Sequence, residues 1–344
     1  MTANTQCPFC QSDVNLNSIC CDSMREARKA FLAGVTRTAM SDDFFGVPVT
    51  PSKHVYSQSE LRPLDKSFTL PREAETQRYF RRVAKAFAKA EPTIVYGERG
   101  TCKDALFGFL SNLYNTPALA ITLGESSDLQ SMLFKQAISP EKGTYYEYGA
   151  LWRALTEGHP RTGEPMVIVL SDGDRMSPHD LNLFRSVLDT TAGQINGPTG
   201  EIVSIKAGTR IVMTANSIGN GADGYGANAI DISMLDRFSR KIKSVPFSAS
   251  EKAHACISRC GAPAEWHQPL TQCLSAITRA VAQEEIENDL SMRGVNAWLR
   301  SALQEVEYGN TETALFEGFC DVAEGEESEE AEKLYALVTP HLKQ

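Results

Sequence analysis

The chain has 344 residues, which at ~150 residues per domain suggests two domains and room for a small extra module. Hydrophobic residues make up 42% and charged residues 22% of the sequence, a balance that excludes disorder throughout. With 34 basic and 43 acidic side chains the net charge is −9, so the chain as a whole does not attract nucleic acid or anionic lipid. We find no secretory signal and no apolar run long enough to span a bilayer, and therefore expect a cytoplasmic protein without membrane contact.

Residues 1–40 contain four of the nine cysteines and are expected to form a small Cys-rich module. Cys7 and Cys10 have the C-x2-C spacing of half a structural zinc site, and Cys20 and Cys21 offer two further thiolates. Adjacent cysteines rarely both bind one ion, so two interpretations stay open: a zinc knuckle, or thiols without metal in a tail.

Residues 41–248 are expected to form an α/β core. Four prolines between residues 48 and 71 indicate an extended connector, and the apolar spacing over residues 73–89 predicts an amphipathic helix. Strand and helix patterns then alternate, which is typical of a parallel sheet covered by helices. Strands are predicted over 93–96, 118–123, 166–170 and 210–215, helices over 104–114, 148–157 and 178–189, and a hairpin over 195–203.

Strand patterns stop beyond Val245. The remaining apolar spacing predicts a helical subdomain over residues 249–344. Its helices are predicted over 251–259, 270–287, 295–306 and 313–338.

A Gly-rich loop follows the first strand of the core and precedes a helix. In such a loop, backbone N–H groups and the helix N-terminus bind phosphates, while a lysine neutralises the outer oxygens. The loop departs twice from the pattern G-x-x-x-x-G-K-[ST], because Cys102 replaces the second glycine and Asp104 replaces the hydroxyl residue. The predicted nucleotide-binding residues are Gly97, Glu98, Arg99, Gly100, Thr101, Cys102, Lys103 and Asp104, together with Ser171 further along the chain.

Polar residues also follow two later strands. Ser171 and Asp172 follow the buried pattern at 166–170, where a P-loop NTPase has its metal-binding carboxylate and catalytic glutamate. Asn216 ends the strand at 210–215, where an amide could orient the attacking water. The order of these motifs favours an ATPase.

Together these motifs resemble the AAA+ ATPases of the MoxR-like group, in particular the ATPase subunit of cobaltochelatase (CobS) and its dynein-related relatives. Residues 214–219 with 234–238 are similar to the sensor 1 and arginine-finger region, and residues 291–298 to sensor 2. Phe45-Gly46-Val47 is similar to the Phe-Gly pair near the start of that family's core.

The resemblance implies an α/β P-loop NTPase core with a C-terminal helical lid, binding ATP and Mg²⁺. It implies that Asn216 positions water, that Arg293 contacts the γ-phosphate from the lid and that Arg237 reaches into the neighbouring subunit's site. A residue acting on the neighbour implies a ring, usually a hexamer in this family. Such rings move a partner protein, often one with a von Willebrand A-type domain.

The departures from the family pattern lie in the metal site and leave two hypotheses. Asp104 and Ser171 exchange a hydroxyl and a carboxylate relative to the family, so a magnesium shell could keep one of each. Asp104 and Asp172 are then the candidate magnesium ligands, with Asp172 standing in for the catalytic glutamate, and ATP is hydrolysed slowly. The alternative is a pseudo-ATPase that serves as a nucleotide-regulated scaffold.

Overall fold

The structure is a computed structural model, which describes residues 5–6, 13–14, 43–54, 56–57, 59–62, 68–124, 127–189, 193–218, 230–287, 289–323 and 328–342. The chain forms two compact units. The first comprises residues 1–65, 78–98 and 102–244, and the second comprises residues 66–77, 99–101 and 245–344.

Thirteen strands lie in the part of the first unit that the structure describes. In chain order they are β1 (Thr5–Gln6), β2 (Asp13–Val14), β3 (Asp43–Phe44), β4 (Val47–Pro48), β5 (Thr93–Tyr96), β6 (Ala118–Thr122), β7 (Phe134–Ser139), β8 (Gly143–Tyr148), β9 (Val167–Ser171), β10 (Gln194–Asn196), β11 (Ile202–Ser204), β12 (Arg210–Ala215) and β13 (Arg240–Lys243).

The helices are numbered separately, also in chain order. They are α1 (Ala74–Ala88), α2 (Lys103–Leu113), α3 (Leu129–Leu133), α4 (Ala150–Thr156), α5 (Pro178–Leu188), α6 (Ile232–Leu235), α7 (Ala249–Cys260), α8 (His267–Ala282), α9 (Met292–Glu307), α10 (Ala314–Ala323) and α11 (Ser328–Leu342).

A five-stranded parallel sheet forms the centre of the first unit, in the order β13-β5-β12-β9-β6. Every residue of β9 is buried, as expected for an apolar strand in the middle of a parallel sheet. The register pairs Ala215 with Tyr96 and Thr122 with Ser171, so the carboxyl ends of β5, β6, β9 and β12 lie at one edge of the sheet. Residues that follow these strands therefore come together at that edge.

The four predicted strands and the hairpin are confirmed, with ends shifted by one residue at most. Neither α3 nor the β7–β8 hairpin was predicted from the sequence. That hairpin is mostly exposed, with Ile138 81% exposed, so it lacks the apolar pattern by which a buried strand is recognised. The predicted helix over 148–157 begins only at Ala150, because Tyr148 is the last residue of β8.

The described C-terminal part of the second unit is helical, from α7 to α11. Trp298 of α9 is fully buried, donates its indole N–H to the carbonyl oxygen of Leu315 at 2.7 Å and packs against Phe319 at 4.9 Å between ring centroids. The predicted helix over 313–338 is wrong, since the structure has two helices there, α10 and α11. The sequence between them contains Gly325 among glutamates, and glycine and like charges both disfavour a helix.

The predicted α/β core with a parallel sheet and a helical C-terminal region is thus confirmed. Among the residues that the structure describes, none of the helices is both long enough and apolar enough to cross a bilayer. The predicted Cys-rich module lies mostly outside the described residues.

Candidate functional site

The Gly-rich loop leaves the carboxyl edge of the sheet between β5 and α2. The N–H of Gly97 donates to the carbonyl oxygen of Ala215 at 3.3 Å, which ties the start of the loop to β12. A Cβ atom on Gly97, where φ is 133°, would lie 2.5 Å from Oγ of Ser244. This position therefore requires glycine. The loop ends at Lys103, the first residue of α2, so the N-terminal N–H groups of that helix lie at the same edge.

Lys103 is buried and held by the loop itself. Its Nζ donates to the carbonyl oxygens of Gly97 and Glu98, each at 2.7 Å, and lies 3.4 Å from Oδ1 of Asn216. Burial lowers the pKa of the ammonium, and the neighbouring carboxylates, first among them Asp104, oppose that shift. The structure thus brings together Lys103 and Asn216, two of the predicted site residues.

Cys102 has a left-handed backbone conformation, with φ 56° and ψ 26°. The phosphate-loop pattern has glycine here because glycine adopts this conformation without the steric cost that a Cβ atom brings. Cys102 therefore has the backbone conformation that glycine has in the pattern, at the cost of backbone strain.

Asp104 and Ser171, which exchange residue types relative to the family pattern, are hydrogen-bonded to each other. Oγ of Ser171 donates to Oδ1 of Asp104 at 2.5 Å, and Oγ1 of Thr214 lies 3.3 Å from the same oxygen. Nη2 of Arg62 reaches that oxygen at 3.1 Å and forms an ion pair with the carboxylate. Sequence reasoning found the exchange but neither Arg62 nor Thr214.

The AAA+ resemblance implies Mg²⁺. The Asp104 side chain is 43% exposed, and among the described residues its Oδ2 accepts only from Oγ1 of Thr214, at 3.4 Å, so this oxygen stays open to an ion. Oδ1 of Asp104 already accepts from one guanidinium and two hydroxyl groups. Over the described part of the chain, no group of three or more His, Cys, Asp or Glu side chains could hold a metal ion. The assignment of Asp104 and Asp172 as magnesium ligands stays a prediction.

The turn after β9 carries two carboxylates. Asp172 is half-buried and left-handed, with φ 58°. Asp174 is buried, and its Oδ1 has no hydrogen-bond partner among the described residues. A Cβ atom on Gly173 would lie 2.4 Å from Sδ of Met213, so the turn packs tightly on β12. Asp174 was not among the predicted site residues, although it lies in the same short acidic run.

The two predicted arginines lie in different units. Arg237 follows α6 in the first unit, where its Nη1 donates to the carbonyl oxygen of Ser233 at 2.7 Å. Arg293 is an exposed residue of the first turn of α9, in the second unit. Their roles toward a nucleotide stay predictions.

The loop tip, Arg99 to Thr101, belongs to the second unit. Within that unit, a Cβ atom on Gly100 would lie 3.1 Å from the backbone nitrogen of Met292. The predicted zinc ligands Cys7, Cys10, Cys20 and Cys21 lie outside the described residues. Metal analysis of the purified protein decides between a zinc knuckle and thiols without metal.

Residues 92–238 match the AAA domain (dynein-related subfamily). The chain contains an AAA domain. The matched range includes the Gly-rich loop, Asp172, Asn216 and Arg237. Arg62 and Arg293 lie outside the matched range.

Two further comparisons, with curated proteins and with solved structures, do not narrow the family further. No curated protein matches the sequence. One solved structure that the chain matches is the crystal structure of NtrX from Brucella abortus in complex with ADP, which is 14% identical with a TM-score of 0.39. The match covers 79% of this chain and 55% of that one, so the chain spans about half the length of the NtrX structure. A likeness this distant says nothing about ligand or activity.

Proposed function

We propose that this chain is a ring-forming AAA+ protein of the MoxR-like and CobS-like type, which binds ATP and couples its nucleotide state to the remodelling or activation of a partner protein. The placement of Lys103 carries this proposal. Its ammonium lies in a loop of backbone carbonyls at the N-terminus of α2 and 3.4 Å from the Asn216 amide. The oxygens of a bound triphosphate would accept the hydrogen bonds that the Lys103 ammonium now donates to the loop carbonyls.

Each further role rests on the resemblance. Asn216 orients water beside Lys103, and Asp172 accepts the proton of that water. Arg237 acts on the nucleotide of the neighbouring subunit, and Arg293 contacts the γ-phosphate from the helical unit. The partner is a protein, for which the resemblance implies a von Willebrand A-type domain, and the expected oligomer is a hexamer.

Hydrolysis is expected to be slow. Asp172 is one methylene shorter than the glutamate of the family pattern, and Asp104 adds a negative charge next to the lysine that neutralises the phosphates. The ion pair of Asp104 with Arg62 favours a second candidate, a scaffold subunit that binds nucleotide without hydrolysing it.

Mass photometry with and without ATP, combined with a phosphate-release assay, tests the proposal. We expect a nucleotide-dependent ring and slow phosphate release in the wild type, and no phosphate release in Lys103→Ala. Lys53→Ala, which changes an exposed lysine of the same unit, serves as the control. Rings without phosphate release would favour the scaffold, and a protein that neither binds nucleotide nor assembles would contradict both candidates.

A further inference from the structure

A groove of about 630 Å³ lies in the first unit, between α1 and β13. Its lining comes from residues 46–48, from four residues between 82 and 89, and from residues 239–242. Arg240 is in register with Thr93, the first residue of β5, whereas the Gly-rich loop begins after Tyr96, the last residue of that strand. The α1–β13 groove therefore lies apart from the Gly-rich loop, toward the other end of β5.

Cations outnumber carboxylates around the α1–β13 groove. Five basic residues line it, three on or directly after α1 and two on β13: Arg82, Lys85, Lys89, Arg240 and Lys241. Two carboxylates offset them, since Glu91 forms an ion pair with Arg240 at 2.6 Å and Asp236 forms one with Lys241 at 3.2 Å. The other three cations are exposed and form no ion pair within the described part of the chain.

This excess of positive charge is local. The charges beside Gly46 cancel, because the carboxylate of Asp43 accepts from its N–H at 2.8 Å and a Cβ atom on it would lie 3.8 Å from Nη2 of Arg81. The chain as a whole has a net charge of −9. The α1–β13 groove thus attracts acidic groups that the chain as a whole repels.

The strand that forms one wall of the groove has an open backbone edge. β13 is the outer strand of the five-stranded sheet and pairs, within the described residues, with β5 alone. The N–H of Arg240 donates to the carbonyl oxygen of Pro92 at 3.1 Å, on the side of β5. Backbone groups alternate along a strand, so those of Lys241 and Lys243 face away from β5. An extended peptide can add to such an edge through main-chain hydrogen bonds.

The lining of the groove favours a peptide over a nucleic acid. Proteins that bind single-stranded nucleic acid stack its bases on aromatic side chains, and none of the described lining residues is aromatic. Charged residues on an edge strand disfavour pairing with an apolar segment. The lysines of β13 therefore select an acidic segment.

We propose that the α1–β13 groove binds an extended acidic segment of the partner protein, which adds to the outer edge of β13 while its carboxylates pair with Arg82 and Lys85. This inference rests on the proposed function for the existence of a protein partner. It deepens that function by naming the chemistry through which the partner binds.

Fluorescence anisotropy of labelled peptides with the full chain tests the inference. The probe is a peptide of about six residues in which glutamate and valine alternate, and its control has glutamine at each glutamate. We expect the glutamate peptide to bind about tenfold more tightly than the glutamine peptide, and its affinity to fall as the salt concentration rises. A labelled single-stranded oligonucleotide of about the same length should bind more weakly than the glutamate peptide.

Charge reversal on α1 tests the role of the cations. Arg82→Glu combined with Lys85→Glu should weaken binding of the glutamate peptide by about tenfold or more. Lys53→Glu combined with Lys142→Glu changes the net charge equally at two exposed positions elsewhere in the same unit, and should alter binding by less than about twofold.

Lys241→Pro tests the backbone edge of β13. Proline removes the N–H that faces away from β5 and is tolerated on an edge strand, so we expect a folded protein that binds the glutamate peptide about tenfold more weakly. Lys241→Ala removes the same charge but keeps the N–H, and should weaken binding by less than about threefold. Thermal unfolding followed by circular dichroism checks that each variant is folded.

The outcomes of these experiments are distinct. Equal binding of the glutamate and glutamine peptides, or tighter binding of the oligonucleotide, overturns the inference. Wild-type affinity in the charge-reversed α1 variant overturns the assignment to this groove, and equal effects of proline and alanine at Lys241 overturn the pairing with β13. A wild type that binds nucleotide but not the glutamate peptide overturns the inference and leaves the proposed function standing. A wild type that binds the peptide but no nucleotide contradicts the proposed function and leaves the acidic-peptide site standing.

Discussion

At the scale of single residues, two positions of the Gly-rich loop that have a positive φ are occupied by different residue types. The positive φ at Gly97 is one that glycine adopts at little cost. Cys102, by contrast, adopts a left-handed conformation although it carries a Cβ atom. Among the described residues six non-glycine residues have a positive φ, and two of them, Cys102 and Asp172, lie at the edge of the sheet where the Gly-rich loop begins. The strain at Cys102 is a stability cost that a single substitution can remove.

Replacement of Cys102 by glycine should stabilise the protein. The gain in the free energy of unfolding is expected to be about 0.5–1 kcal/mol, because relief of the left-handed strain exceeds the entropy that glycine adds to the unfolded chain. Urea denaturation measures it. Cys102→Ala keeps the Cβ atom and should show no such gain, so equal stabilisation by alanine and glycine would refute backbone strain as the cause.

A buried histidine is expected to make the stability of the first unit depend on pH. Burial lowers the pKa of His159 from its ordinary 6.5, and Glu60, 3.2 Å from Nε2, opposes that shift. The unfolded chain therefore binds a proton at a higher pH than the folded chain does, so the free energy of unfolding falls as the pH drops below about 6.5. The groups that face the ring are Glu60, Thr162, Tyr56, Arg161 and His54.

Urea denaturation at about pH 7.5 and about pH 5.5 brackets this effect. The free energy of unfolding should decrease less for His159→Gln than for the wild type. The pKa of the Glu60 carboxyl is also lowered from its ordinary 4.5, so Glu60 changes its charge below the pH range of this experiment. His179→Gln, at an exposed histidine, should keep the wild-type decrease, and an unchanged pH dependence in His159→Gln would exclude His159 as the source.

At the scale of elements, the close packing of α9 and α10 stabilises the second unit. Gly318 of α10 allows this approach, because a Cβ atom there would lie 2.4 Å from the backbone nitrogen of Ala302. Gly318→Ala is therefore expected to lower the free energy of unfolding by about 1–3 kcal/mol. Glu317→Ala, at the exposed neighbouring position, should change it by less than about 0.5 kcal/mol. Equal effects of the two substitutions in denaturation curves would argue against the close contact.

The elements also show how far local sequence patterns reach. The central strands are predictable because a short run of apolar residues between polar ones is typical of a strand that is buried on both faces of a parallel sheet. The β7–β8 hairpin is mostly exposed and leaves no such pattern. The proximity of Lys103 and Asn216 follows from the topology, because the loop before Lys103 follows β5, Asn216 follows β12, and both strands end at the same edge of the sheet. Arg62 could not, because it contacts Asp104 across 42 residues of chain without any fixed spacing.

At the scale of the whole molecule, the proposed ring predicts that each active site is completed by a residue of the neighbouring subunit. If Arg237 acts on the neighbour's nucleotide, each active site needs Lys103 from one subunit and Arg237 from the next. Lys103→Ala and Arg237→Ala should each abolish phosphate release when they are alone. Mixed in equal amounts, they should regain about one quarter of the wild-type rate, because at random half of the subunits supply each intact residue.

The control for this mixing experiment joins both substitutions in one chain. Mixed with wild-type subunits, that double variant leaves about one quarter of the interfaces intact at random, the same fraction as the mixture of single variants. The two mixtures should therefore release phosphate at similar rates. Activity in the second mixture but not in the first would mean that Arg237 and Lys103 act within the same subunit, so that Arg237 does not reach across an interface.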